Sequence, residues 1–128
     1  MPTRSEITPR QRTGRILVSL FTALVLHVVL GWPWSVGGGI LAGWLFPRGA
    51  WWRGAVVVGM DWALLIGYNL FVAYGPVREM HRVVADIAWS SPSWTIPLAS
   101  VLVGAAIGVG GGLVGSSLYH IMAARRKT

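Results

Sequence analysis

Apolar and polar positions alternate along the chain on the scale of whole helices rather than of single turns. Between Ile16 and Leu30 the sequence reads ILVSLFTALVLHVVL, fifteen residues with His27 as the strongly polar member. With its flanks, at about 14–31, the stretch approaches the ~20 residues a helix needs to cross a hydrocarbon core. Gly-Trp-Pro-Trp follows, rather than the small-residue cleavage site of a signal peptide, so a retained first span is expected. Pro33 breaks it, and Trp32 and Trp34 stand beside the break as interfacial anchors. A second, Gly-rich helix is expected at about 34–47. The twelve residues from Ser35 to Phe46 rise only about 18 Å against a core of roughly 30 Å. Such a helix either borrows its flanks, thins the bilayer or re-enters the side it came from. Pro47-Arg48-Gly49 turns the chain into the clearest span, about 52–74, which Gly75-Pro76 is expected to end. The last span, about 95–123, is again Gly-rich and runs into Arg125-Arg126-Lys127.

The segment between the third and fourth spans has a different period. Over about 77–90, Val77, Met80, Val84, Ile87 and Ala88 recur at helical spacing, with Arg78, Glu79, Arg82 and Asp86 on other faces. That pattern predicts a helix lying in the membrane interface, anchored by Trp89 and Trp94. Residues 1–12 read as a polar tail and 125–128 as a basic one, with one transmembrane domain, 13–124, between them. The predicted fold is thus all-α, a bundle of four transmembrane helices with a short second helix and an interfacial helix before the fourth.

Composition agrees with that pattern and removes other classes. Hydrophobic residues make up 54% of the 128 and charged residues 12%, more apolar surface than a soluble domain of this size can bury. There is no cysteine, which excludes disulfides, thiolate zinc sites and thiol catalysis. The net charge of +7 raises nucleic acid as a partner, but the basic residues gather at the termini and one turn instead of forming a face. Four crossings place Arg4, Arg10, Arg12, Arg15, Arg48, Arg53, Arg125, Arg126 and Lys127 on one side and leave Arg78 and Arg82 opposite. The positive-inside rule makes the crowded side cytoplasmic, with both termini there. Three crossings would split the basic clusters. Arg outnumbers Lys ten to one, in keeping with a GC-rich bacterial genome and hence a cell inner membrane.

Asp61 carries the most information of any single residue. It lies eight residues past Arg53, about 12 Å along the helix, and an acid at that depth faces a bundle interior or a water path. Thr22, Ser116 and Ser117, counted from their own basic flanks, reach a similar depth, so a polar layer of Asp61, Thr22, Ser116 and Ser117 is expected. It would serve either as a proton or cation site or as interhelical glue, with glue the plainer reading. Gly104, Gly108 and Gly112 recur every four residues with Gly115 beside them, and Gly39 and Gly43 repeat the spacing. This is a helix-packing seam, within the chain or between chains. The likeness of GGGILAG and GGGLVG is read as chance in a Gly-rich chain.

Other chemistry finds little footing. His27 and His120 lie about 18 and 7 Å from the basic edge, too different for a shared bis-His haem, and no cofactor is expected. No catalytic grouping and no metal-ligand spacing occurs. Four spans in this length are shared with small multidrug transporters and fluoride channels. However, the carboxylate that the former carry in the first helix is missing between Arg15 and Gly31, and the Gly- and Asn-rich second helix and Thr/Ser/Phe run of the latter are not found, so the chain resembles neither. The expected role is a non-catalytic accessory or structural subunit of a larger membrane complex, with lipid and other subunits or further copies of itself as partners. A small channel or proton/cation-coupled carrier using Asp61 is the alternative.

Overall fold

The computed structural model describes residues 8–126, and within them every regular element is helical. The order is α1 (Pro9–Leu30), a 3-10 turn (Trp32–Ser35), α2 (Val36–Leu45), α3 (Ala50–Val72), α4 (Tyr74–Trp89) and α5 (Thr95–Arg125). Three of these, α1, α3 and α5, are long and apolar enough to cross a membrane, which suggests a membrane protein.

Several boundaries differ from the expected ones for local reasons. The helix α1 starts at Pro9, inside the segment expected to be a tail. Pro9 is preset for a first helical position, and Thr8 forms a capping box with Gln11. Residues 1–7 lie outside the described part. Gly75-Pro76 does not terminate α3. The break falls at Ala73, and Pro76 sits in the first turn of α4, where its missing N–H has no intrahelical role. At the α2–α3 corner Gly49 takes a left-handed conformation (φ +70°), and a Cβ there would press on the Trp52 indole.

The packing is inside-out relative to a soluble domain. The buried apolar side chains are mostly small (Ala23, Ala42, Ala50, Val57, Val58), while Phe21, Val29, Leu64 and Phe71 are exposed. Close backbone approach takes the place of a large-residue core. The seam runs along α5, which packs on α2 and α3 together. A Cβ on Gly43 would run into the carbonyl of Gly112, one on Gly54 into that of Gly108, and one on Gly115 into that of Ile40. Gly39 lies over Gly108 and Gly111. The seam is therefore used within this chain. The helix α1 packs against α2 and α3, where Gly38 rests on Ala23. By contrast α4 touches the bundle lightly through α3 and α5, and its Met80, Val83, Val84 and Ile87 are exposed.

Candidate functional site

The chemistry of the bundle gathers where α1 meets α3. Asp61 is fully buried, and its Oδ2 lies 2.8 Å from Nδ1 of His27, whose side chain keeps 17% of its exposure. The other carboxyl oxygen, Oδ1, is buried with no hydrogen-bond partner. One proton between Nδ1 and Oδ2 satisfies the contact in two ways. Either an imidazolium donates to a carboxylate, or a carboxylic acid donates to a neutral imidazole. Both leave the pair neutral overall, which suits an interior with little solvent to stabilise a net charge.

A second layer holds the imidazole in place. The Trp62 indole lies against His27, with ring centroids 5.5 Å apart, and Trp32 meets Trp62 edge-on at 6.2 Å. Trp62 Nε1 donates to Ser35 Oγ at 3.4 Å, and Ser35 in turn donates to the Trp32 carbonyl at 2.7 Å. Gly104 makes room for the indole, since a Cβ there would stand 2.6 Å from Trp62 Cγ. Helices α1, α3 and α5 and the 3-10 turn thus all bear on one imidazole.

The hydroxyls expected around Asp61 are engaged elsewhere. Thr22 Oγ1 donates to the Val18 carbonyl at 2.9 Å, and Ser117 Oγ to that of Leu113 at 2.9 Å. Each returns to its own helix one turn back, a common way for a hydroxyl to be satisfied inside a helix. Ser116 Oγ reaches across to the Pro47 carbonyl at 3.1 Å and ties α5 to the α2–α3 corner. The partner of Asp61 is His27, a residue the sequence suggested only as a cofactor ligand. Two signals could have led to it, one strongly polar residue in the first span and one acid in the third, but their counted depths set them apart. Among the described residues no group of three or more His, Cys, Asp or Glu is placed to hold a metal ion.

A different surface lies on the α3–α5 side. Ala55, Gly59 and Ala63, four residues apart on α3, line an open apolar groove of about 340 Å³ with Val56, Met60, Val101 and Ala105. A Cβ on Gly59 would meet Ala105 at an ordinary 3.4 Å, so the groove floor has room for one more carbon. Midway along α4, Glu79 pairs with Arg82, which raises the Arg82 pKa above its usual value. No protein-family profile, curated protein or solved structure matches this chain.

Proposed function

We propose that the chain is a non-catalytic accessory subunit of a larger membrane complex that docks a partner's transmembrane helix in the α3–α5 groove. The groove carries this reading. Small residues at every fourth position let helix backbones approach closely in lipid, where dispersion and packing drive association. Here the stripe Ala55–Gly59–Ala63 backs onto the chain's own seam, Ala55 against Gly108 and Gly59 against Ala105, while its outer flank still lines an open apolar groove. In this reading α2 is a fourth crossing. With its 3-10 turn it spans about 23 Å, and the Trp32–Trp34 end and the Arg48 corner complete the crossing. Arg15 Nη1 donates to the Leu45 carbonyl at 3.1 Å, which puts the start of α1 beside the end of α2. Both termini are then cytoplasmic, α4 rests in the outer interface, and a bacterial inner membrane is the setting.

The test is purification in mild detergent followed by native mass measurement. A hetero-oligomer of fixed stoichiometry is expected, lost in Gly59→Leu and kept in Phe21→Ala on the exposed face of α1. A monomer, or a homo-oligomer indifferent to Gly59→Leu, overturns the reading. A second reading, a proton- or cation-coupled carrier, is favoured by the buried unpartnered Oδ1 of Asp61 and the residual exposure of His27. It stands behind the first because Thr22 and Ser117 turn back on their own helices instead of extending a polar path. Proteoliposome flux that is absent, or unchanged in Asp61→Asn, removes it.

A further inference from the structure

Where α1 begins and α2 turns into α3, Arg12, Leu45, Phe46, Pro47, Arg48 and Arg53 line a pocket of about 250 Å³. Half of its lining is arginine and none of it is acidic. Arg12 and Arg53 are close enough to repel each other. The acids of the described chain are engaged or distant: Asp61 holds His27 and Glu79 holds Arg82, both away from this end, and Asp86 lies on α4.

One of these arginines is also held in place. Arg53 Nη1 donates to the Arg48 carbonyl at 2.7 Å, and its guanidinium lies 4.5 Å from the Phe46 ring centroid and 5.0 Å from that of Trp52. Its Nε is buried with no partner among the described residues, a donor without an acceptor there. Arg15 braces the wall through the Leu45 carbonyl. The first turn of α3 begins here at Gly49, which supplies no side-chain cap, so its N–H groups and the positive end of the helix dipole add to the same field.

Three arginines gathered above an apolar floor, with no acid beside them among the described residues, fit an anion with several oxygens and an apolar attachment. We propose that this pocket binds the phosphodiester of an anionic phospholipid, with Arg12, Arg48 and Arg53 around its oxygens and Leu45 and Phe46 against the glycerol–acyl junction. Basic pockets between helices at a cytoplasmic surface hold such head groups. The proposal rests on the membrane reading above, with this end at the bilayer surface, and Trp51 and Trp52 are exposed beside the pocket as anchors would be. Inorganic phosphate shares the oxygen chemistry but has nothing to place on Leu45 and Phe46.

The test begins with an alkaline carbonate wash of membranes carrying the full chain. Release into the soluble fraction is failure of the membrane reading. Retained protein is purified in a non-ionic detergent and titrated with phosphatidylglycerol, phosphatidylcholine or inorganic phosphate, reading retained lipid by native mass and stabilisation by thermal unfolding. Phosphatidylglycerol is expected to bind and stabilise while phosphatidylcholine does not. Arg12→Gln with Arg48→Gln, both exposed side chains outside the helix seam, is expected to weaken that binding by about thirtyfold, at roughly fivefold per arginine. Arg78→Gln on α4 leaves it unchanged. Equal binding of the two lipids, full binding by the double variant, or phosphate binding as tightly as phosphatidylglycerol overturns the proposal.

Discussion

Removing His27 from the Asp61 pair gives an asymmetric pattern that a merely adjacent pair would not give. His27→Leu leaves a fully buried carboxyl with both oxygens unpartnered, because Oδ1 already has none. The lost bond is short, about 1.5–3 kcal/mol in a protein interior in its imidazolium–carboxylate form. Breaking a buried pair from one side costs about 3–5 kcal/mol where the remaining charge cannot be neutralised. Protonation of Asp61 limits that loss, and bonds between helices in lipid measure nearer 0.6 kcal/mol, with a maximum near 1.7. About 2–3 kcal/mol is therefore expected for His27→Leu. Asp61→Leu should cost less, about 1 kcal/mol, because the partly exposed imidazole finds water. The double variant replaces the pair with packed apolar carbon, an exchange that is often neutral. Its cost should fall below the sum of the single costs by about 1–1.7 kcal/mol, the upper part of the range for contacts between helices in lipid. The measurement is unfolding in mixed detergent micelles, followed by helical circular dichroism for all four proteins of the cycle. A coupling below about 0.5 kcal/mol, or Asp61→Leu costing more than His27→Leu, would refute the pairing argument.

The glycines divide sharply by what surrounds them. Gly43→Ala and Gly115→Ala drive a methyl into backbone carbonyls and should lose several kcal/mol, read as failure to yield folded protein in detergent. Gly67→Ala and Gly110→Ala, with open space around them, should instead raise thermal stability by about 0.5–1 kcal/mol through helix propensity. At the α2–α3 corner, Gly49→Ala combines a left-handed backbone with contact on Trp52 and should cost roughly 1–2 kcal/mol, seen as a lowered melting temperature. Among the hydroxyls, Thr22→Val should be nearly silent, since its bond returns to Val18. Ser116→Ala should lose about 1 kcal/mol with the tie to Pro47, and neither should couple to Asp61 in a mutant cycle.

Helix positions, the glycine seam and the prominence of Asp61 were all legible in the sequence, because each rests on local rules. Apolar length sets the helices, four-residue spacing sets the seam, and an acid inside an apolar run needs a partner. The identity of that partner was not legible. Counting residues from Arg15 and from Arg53 put His27 and Asp61 about one helical turn apart in depth, yet they touch. Both arginines converge on Phe46, with guanidinium carbons 6.0 and 4.5 Å from its ring, so long flexible side chains absorb the offset between their helices. An arginine marks where its charge sits rather than where its backbone lies. The boundary at Ala73 is hidden for a related reason: Pro76 suggests a stop, though a proline opens a helix as readily as it closes one.

The seam along α5 also bears on how the chain is made. The helix α2 has ten residues, below the length at which a helix holds its shape alone or fills a bilayer, and Gly37, Gly38, Gly39 and Gly43 weaken it further. What fixes it is the backbone of α5, met at Gly108, Gly111, Gly112 and Gly115. During synthesis from the N-terminus, α2 therefore leaves the ribosome without its main support, which emerges some seventy residues later. Until then α2 leans on α1, through the Ala23–Gly38 contact and the Arg15 bond to the Leu45 carbonyl, and next on α3. The packing of α2 is thus completed only by α5, a later helix securing an earlier one.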